Sequence, residues 1–323
     1  MDEQSIIVRD GTKIFNNTFA AGVSERVFYN KHYNNPYKIA KPVHIMYENG
    51  MPIGMNAFMG MFILDNIKHE KHYVAQSNDS AVIPESRGKH VFSRIVSEFE
   101  KNGLECEYII GIPNDNSHQG FLKMGWMDMA ELRTLSMTRN KITLINQPRS
   151  IRYKRSKVNS VKKALSNDIS FTEEELVVIN NSSDSLSQKT NEYYKWKMSN
   201  RKGCLLKYHI NNRFVGHILF HVIRRKKYCI NYNQISIDDW YYEDSSILKE
   251  MIKDVKKLGY YIFVPVVNRV NKEYNDFINC GLVDDANIES SYLIVSPRGT
   301  NHEYLKKFSY RNIDDDCILN DQE

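Results

Sequence analysis

Residues 79–93 decide the fold and read Asp-Ser-Ala-Val-Ile-Pro-Glu-Ser-Arg-Gly-Lys-His-Val-Phe-Ser. The β-rich run at 72–83 predicts a strand, and Pro84 ends it because proline cannot donate a hydrogen bond to a sheet. Apolar residues then recur at helical spacing, which predicts a helix over 89–101. The stretch therefore predicts a strand, a short basic loop and a helix in direct succession.

The loop within this stretch predicts an anion-binding site. The first N–H groups of a helix lack acceptors within the helix and lie at the positive end of its dipole. Gly88 lets an anion approach the backbone closely, and Arg87 and Lys89 add positive charge. The same residues also suit a plain strand-to-helix connection with basic surface side chains, so the loop alone leaves both interpretations open.

Strands and helices alternate on both sides of the loop, which indicates an α/β fold with mixed sheets. In the first half, strands are predicted at 44–48, 51–64, 72–83, 108–112 and 132–138, and helices at 89–101 and 114–123. In the second half, strands are predicted at 205–210, 214–223, 229–237, 261–267 and 291–295, and helices at 245–258 and 271–279.

The two halves repeat the same order of elements and share two short motifs. Asn49-Gly50-x-x-x-Gly54 matches Asn211-Asn212-x-x-x-Gly216, and Phe121-x-x-x-Gly125 matches Phe277-x-x-x-Gly281. These matches predict a tandem pair of units, each of about 160 residues. The predicted division is a first domain at 1–138, a basic linker at 139–165, a second domain at 166–310 and a flexible tail at 311–323.

Composition excludes several classes of protein. The chain has 323 residues, 41% hydrophobic and 26% charged, as in ordinary globular domains. Its five cysteines lie far apart without a C-x-x-C pair, which argues against disulfides and zinc ribbons and indicates a reduced, cytoplasmic protein. The longest apolar run, at 57–64, is far shorter than the roughly 20 residues of a membrane span, and we expect no signal peptide.

The positive charge of the chain is concentrated in one segment. Residues 139–163 contain nine basic residues and no acid, whereas the remainder is nearly neutral. This argues against nucleic-acid binding by the folded domains and predicts a solvated connector. Alternatively, the basic segment supplies positive charge to a phosphorylated ligand, which includes tRNA.

The basic loop resembles the acyl-CoA pyrophosphate loop of the GNAT acyltransferases, whose pattern is Q/R-x-x-G-x-G/A. Here the pattern reads Arg87-Gly88-Lys89-His90-Val91-Phe92. The run at 111–126 is similar to the family segment N-x-x-A-x-x-x-Y-x-x-x-G-F. Its matching residues are, in order, Asn114, Phe121, Gly125 and Trp126. The resemblance covers residues 5–138 by motif and 166–300 by element order alone.

The resemblance implies two tandem GNAT-like domains, the second without the pyrophosphate loop. It implies an acyl-CoA-dependent N-acyltransferase, not an aminoacyl transferase, that uses acetyl-CoA as co-substrate. The loop looks most like that of GNAT proteins from bacterial surface-polysaccharide gene clusters, which implies a small-molecule amine acceptor such as a nucleotide-linked amino sugar. The residues implied to bind acyl-CoA are Val82, Ile83, Arg87, Gly88, Lys89, His90, Val91, Phe92, Asn114 and Phe121.

Two residues depart from the family pattern. His90 replaces a glycine, and Phe121 replaces the tyrosine that many members use as general acid toward the CoA thiolate. Phenylalanine cannot transfer a proton, so another group does so, the thiolate leaves unassisted, or the domain only binds. Because a thiol has a pKa of about 8.5, unassisted departure is chemically tolerable near neutral pH.

Transfer to an amine also needs a general base, because an ammonium has no lone pair. Asp79 on the strand before the loop is the first candidate, and His118 is the second. Each has a structural alternative, since Asp79 also suits a hydrogen bond to a neighbouring strand and His118 suits a solvated helix start. Ser77 is predicted to share the strand face of Asp79 by alternation.

Other clusters are predicted to be structural. His217 and His221 share a strand face and are predicted to be a satisfied or surface pair. His69 and His72 have no acidic or cysteine partner at ligand spacing, so no metal site is predicted. The aromatic clusters at 192–196 and 240–242 suit packing or stacking on a sugar ring. An aminoacyl-tRNA-dependent transferase of tandem GNAT fold and a non-catalytic acyl-CoA-binding scaffold stay open as alternative functions.

Overall fold

The computed structural model describes residues 2–102, 106–138, 161–199, 202–227, 230–259, 261–284, 290–297, 302–311 and 314. Most of the predicted basic linker, at 139–160, lies outside the described residues. Within those residues, no helix combines the length and apolar character that crossing a membrane requires.

The first 138 residues contain the predicted hairpin, the predicted strands and two additional helices. Their elements are α1 (Glu3–Phe19), α2 (Glu25–Tyr33), β1 (Val43–Glu48), β2 (Met51–Asp65), β3 (Glu70–Val82), α3 (Val91–Asn102), β4 (Ile109–Gly111), α4 (Asp115–Lys123) and β5 (Met127–Thr138). Sequence periodicity did not predict α1 and α2.

The rest of the chain begins with a strand inside the predicted linker. Its elements are β6 (Val161–Ser166), α5 (Glu173–Asn180), β7 (Ser185–Ser187), α6 (Asn191–Lys197), β8 (Gly203–Ile210), β9 (Arg213–Lys227), β10 (Ile230–Tyr242), α7 (Ser245–Leu258), β11 (Tyr261–Asn268), α8 (Lys272–Asn279), β12 (Val283–Asp284), β13 (Ser291–Val295) and β14 (Phe308–Ser309). Residues 161–165 are therefore not connector, because β6 pairs with β8.

The chain forms two compact units, and each takes a strand from the other half of the sequence. Unit 1 contains Met1–Ala130 and Ser291–Lys306, and unit 2 contains Glu131–Ser290 and Lys307–Asp315. In unit 1, β13 pairs with β4, and in unit 2 the greater part of β5 pairs with β11. This division differs from the one expected at residues 138 and 166, because repeat spacing carries no information about strand exchange.

Unit 1 is a mixed sheet in the order β1–β2–β3–β4–β13, with helices on both faces. Helices α1 and α2 pack on a cluster that includes Met55, Ala57 and Ala81. Helix α3 contributes Phe99 to a cluster with Phe58, whose neighbour Ala57 points to the opposite face. The sheet thus separates the helices that precede it from the helix that follows the basic loop.

Unit 2 has the sheet order β6–β8–β9–β10–β11–β5 over one large apolar core. Trp240 lies in this core with 1% of its surface exposed and packs edge-on against Phe277. Tyr193, Tyr194 and Trp196 of the other aromatic cluster are also buried. The packing interpretation of both clusters is confirmed for these side chains.

A buried ion pair joins the C-terminal segment of unit 2 to its sheet. The guanidinium of Arg311 lies 2.8 Å from Asp239, which also accepts a hydrogen bond from Tyr194. Burial opposes the charge of Asp239, yet Arg311 and His217 hold the pKa of its carboxyl well below the usual range. Arg311 and Asp314 are both buried, so the predicted flexible tail at 311–323 is wrong at these positions.

The two strand histidines of unit 2 each face a carboxylate. His217 Nε2 lies 3.2 Å from Asp239 Oδ2, and His221 Nδ1 lies 2.7 Å from Asp238 Oδ2. Burial lowers the pKa of His217 despite this partner. Each histidine thus has one carboxylate partner, whereas His217 Nδ1 is buried with no hydrogen-bond partner among the described residues.

Arg311→Ala is expected to lower the free energy of unfolding by about 3–5 kcal/mol, because it leaves the carboxylate of Asp239 buried without its guanidinium. Denaturant titration measures the change. The control is Arg213→Ala, which removes an exposed ion pair with Glu243 and is expected to have no effect beyond error. Equal losses in the two variants would contradict the anchoring role of Arg311.

Candidate functional site

Two parallel strands of unit 1 part partway along their length. Strand β3 pairs with β4 from Ala75 opposite Ile109 to Ser77 opposite Gly111, and then continues alone to Val82. On that edge, the backbone groups of 78–82 have no strand partner among the described residues. Because backbone N–H and C=O groups need hydrogen bonds, this open edge can pair with an extended ligand.

A β-bulge lies where the strands part. The register between β2 and β3 shifts between Met55 and Ala57, and Asp79 takes a left-handed φ of 45°. The buried amide of Asn56 donates to Ser77 Oγ at 3.1 Å and accepts from Ser80 Oγ. Ser77 and Ser80 therefore share a face. The prediction that Ser77 and Asp79 share one is wrong, because the bulge inverts the alternation.

The carboxylate of Asp79 faces α2 and makes a buried ion pair. Its Oδ2 lies 2.7 Å from Lys31 Nζ and 3.1 Å from His32 Nε2, and 8% of the Asp79 side chain is exposed. The pair fastens α2 to the bulge. Lys31 and His32 carried no sequence signal as partners, because α2 itself was not predicted.

The basic loop contains two residues in the left-handed region. A 3-10 turn at Pro84–Ser86 follows β3, and Gly88 and His90 then adopt φ values of 79° and 57°. His90 occupies the position where the family pattern has glycine, and a side chain there costs about 1–2 kcal/mol of backbone strain. His90 thus adopts a backbone conformation that favours glycine, the residue of the family pattern at this position.

The N-terminus of α3 is open to an anion. Its first helical hydrogen bond runs from Arg94 N to His90 O, so the N–H groups of 91–93 have no acceptor within the helix itself. The first turn contains no acid, and a Cβ placed on Gly88 would meet no atom within 4 Å. Lys89 is exposed, with Nζ 3.6 Å from Glu48. Together these groups form an exposed, positively charged cradle.

The corresponding helix start in unit 2 is closed. Strands β10 and β11 are also parallel and pair only up to Ser236, but two residues alone connect β10 to α7. One of them, Asp244, accepts hydrogen bonds from Ser246 N at 2.7 Å and Ile247 N at 3.2 Å. Hydrogen bonds from Ser246 lower the pKa of the Asp244 carboxyl, so a carboxylate already occupies the anion position.

The C-terminal segment of unit 2 lies beside β11, at the end where β10 and β11 part. Asn268 Nδ2 donates to Phe308 O at 3.0 Å, and Asn271 Nδ2 donates to Lys307 O at 3.1 Å. A cavity of about 410 Å³ remains there, with Trp240 and Arg311 in its lining. In unit 2, the C-terminal segment therefore covers part of the opening between the parted strands β10 and β11.

The second predicted base, His118, is held by two side chains of unit 1. Its Nε2 lies 2.7 Å from Asp128 Oδ1, and its ring stacks on Tyr292 with centroids 5.0 Å apart. Some 16% of the His118 side chain is exposed. Among the described residues, no contact joins Asp79 to His118. The sequence did not predict Asp128 as a partner of His118, because it lies ten residues further along the chain on another element.

Two further predicted ligand residues have structural roles. Asn114 caps α4, with its Oδ1 accepting from Ser117 N at 3.1 Å. Phe121 is 3% exposed and packs against Trp126 and Phe92. The position of the family tyrosine thus lies in the apolar core, whereas Val82 and Ile83 pack with Val91 beside the loop.

No family model and no curated protein sequence matches the chain. Its fold is similar to that of a GCN5-related N-acetyltransferase from Anabaena variabilis, with a TM-score of 0.62 at 8% identity over 91% of this chain and 70% of that one. It is also similar to Saccharomyces cerevisiae N-myristoyltransferase with bound myristoyl-CoA, with a TM-score of 0.58 at 8% identity over 97% and 81%. The predicted α/β fold of GNAT type is confirmed.

Asp79→Asn is expected to lower the free energy of unfolding by about 3 kcal/mol, because Lys31 then loses its buried counter-charge. Glu48→Gln, which removes an exposed carboxylate near Lys89, is the matched control and should leave stability unchanged. Chemical denaturation of both variants measures the difference. A fully stable Asp79→Asn protein would show that the ion pair does not anchor α2.

Proposed function

We propose that this protein is a cytoplasmic acyl-CoA-dependent N-acyltransferase whose unit 1 holds the acyl-CoA. The observation that carries the proposal is the open N-terminus of α3 next to the unpaired edge of β3. A diphosphate needs backbone N–H donors and cations, which the loop at 87–93 supplies. The amides of a pantetheine arm can pair with the edge at 78–82, as an added strand would.

The structural neighbours support acyl-CoA as the ligand class. One is named as an N-acetyltransferase and the other as an N-myristoyltransferase with myristoyl-CoA bound. Acetyl is our proposed acyl group, and a small-molecule amine, such as a nucleotide-linked amino sugar, is our proposed acceptor. Both finer assignments rest on the resemblance of the loop to GNAT proteins of polysaccharide gene clusters.

In the proposed reaction, the amine nitrogen attacks the thioester carbonyl, a C–N bond forms, and the C–S bond breaks to release CoA thiolate. We propose His118 as the base that first removes the amine proton, with Asp128 fixing its ring and stabilising the imidazolium. Asp79 is the weaker candidate, because Lys31 already occupies its carboxylate. Phe121 supplies no proton to the thiolate, which leaves unassisted or takes one from water.

Binding without turnover is the second candidate function. The burial of Phe121 in the apolar core favours it, because no acid then stands at the family tyrosine position. The aminoacyl-tRNA alternative rests on the basic segment, most of which lies outside the described residues, and stays a prediction.

Gly88→Ala is expected to weaken CoA binding at least tenfold in calorimetry. A Cβ on Gly88 meets no protein atom, so any loss of affinity must come from the space and backbone geometry that the anion uses. Gly50→Ala is the matched control, because Gly50 has a φ of 75° and equally open surroundings in the turn between β1 and β2. Both variants should lose similar stability, about 1–2 kcal/mol.

Equal CoA affinity in the Gly88→Ala and Gly50→Ala proteins would move the binding site elsewhere. Failure of the wild-type protein to bind CoA or acetyl-CoA would refute the proposed function itself. Binding without thiol release across a panel of amino sugars and other amines would favour the non-catalytic candidate.

His118→Ala is expected to lower turnover by about 10²–10⁴ at unchanged acyl-CoA affinity, as for loss of a general base. Release of free thiol from acetyl-CoA measures the rate. Asp79→Asn, compared at equal concentrations of folded protein, should retain most of the activity. The opposite result, with Asp79→Asn inactive and His118→Ala active, would assign the base to Asp79.

A further inference from the structure

We propose that unit 1 contains a divalent-cation site at the turn between β2 and β3, formed by Asp65, Glu70 and His72. One ligand atom from each of these side chains lies within 4.8 Å of the other two. Strand geometry brings them together, because Asp65 pairs with Glu70 across the hairpin and His72 follows two residues later on the same face. The sequence-based statement that His72 lacks acidic partners is therefore wrong.

The carboxylate of Asp65 carries an unsatisfied oxygen. Asp65 is 1% exposed, and its Oδ1 accepts from Ile67 N at 3.1 Å and Lys68 N at 3.2 Å. Its Oδ2 is buried and has no hydrogen-bond partner among the described residues. A buried, unpaired carboxylate oxygen is costly, and a cation would remove that cost.

His72 is oriented as a metal-binding histidine is. Its Nδ1 lies 2.8 Å from Glu107 Oε2. Its Nε2 is buried, lies 3.5 Å from Glu70 Oε2 and makes no hydrogen bond to the described residues. A neutral ring that donates from Nδ1 presents the Nε2 lone pair to an ion, and such carboxylate partners are typical of the second shell of metal sites. Tyr304 stacks on the ring at 4.6 Å and shields this side of it.

An imidazolium bridging Glu70 and Glu107 would account for His72 without a metal, but it would leave Asp65 Oδ2 unpaired. The cation accounts for both observations. The carboxylates of Asp65, Glu70 and Glu107 all lie close to His72 and form an electronegative site suited to a divalent cation.

The donor set indicates the class of ion. Two carboxylates and one imidazole suit Zn²⁺ or Mn²⁺, whereas Mg²⁺ and Ca²⁺ prefer oxygen ligands alone. Glu70, with 53% of its side chain exposed, leaves a path from solvent.

His72 and Val82 lie ten residues apart on β3, about 33 Å at the rise of a strand. The ion is therefore structural and independent of the proposed acyl transfer.

The test is calorimetry of the full chain, stripped with EDTA and dialysed, against ZnCl₂, MnCl₂ and MgCl₂. We expect one site for Zn²⁺ or Mn²⁺, with Mg²⁺ at least tenfold weaker, and a rise in melting temperature on binding. Asp65→Asn and His72→Ala should each weaken binding at least tenfold. Glu107→Gln should weaken it less, because it acts through the orientation of His72.

His69→Asn is the matched control, since His69 is an exposed histidine of the same turn with a left-handed φ of 57° that asparagine accepts. Its affinity should equal that of the wild-type protein. Absence of binding to the wild-type protein overturns the proposal, as does equal affinity in the Asp65→Asn, His72→Ala and His69→Asn proteins. If Asp65→Asn does not fold, the comparison of His72→Ala with His69→Asn decides alone.

Discussion

The separation of β3 from β4 after Ser77 is the constraint on which the candidate site depends. A parallel pair that continued to Val82 would satisfy the backbone of both strands and leave nothing for a ligand. The bulge at Asp79 makes the separation possible, because it turns the strand and redirects its side chains. The same bulge fastens α2 through Lys31 and leads into the basic loop. The strand pairing, the anchoring of α2 and the course of the basic loop thus depend on one irregularity in one strand.

The two units differ at the start of the helix that follows their parallel strands. Both have a parallel strand pair that parts before a helix begins. In unit 1 the connection is long and basic, and the first turn of the helix contains no acid. In unit 2 the connection is two residues, and Asp244 satisfies the helix start with its own charge. An anion at the start of α7 would meet the carboxylate of Asp244, which makes that helix start unsuited to a phosphate.

The sequence predicted the elements with strong periodicity, the hairpin turns, and the loop that opens α3. It could not predict the exchange of β5 and β13, because strand partners are chosen by tertiary contacts that leave no local pattern. Asp79 was assigned a face by alternation, and the bulge overturned that assignment. His72 lacked partners at ligand spacing in the sequence, because the pairing of Asp65 with Glu70 and the contact with Glu107 arise only in the folded sheet. The capping role of Asp244 was not predicted, although Asp-Ser-Ser before an apolar helix is a capping signal.

We propose that the open start of α3, and not that of α7, binds the phosphates of CoA. Amide chemical-shift mapping of the isotope-labelled full chain during titration with CoA tests this most directly. We expect the largest shifts at the amides of Gly88, Lys89 and residues 91–93, with those of Ser245 to Leu248 unchanged. Shifts concentrated at the start of α7, or spread over the surface without a maximum in the loop, would contradict it.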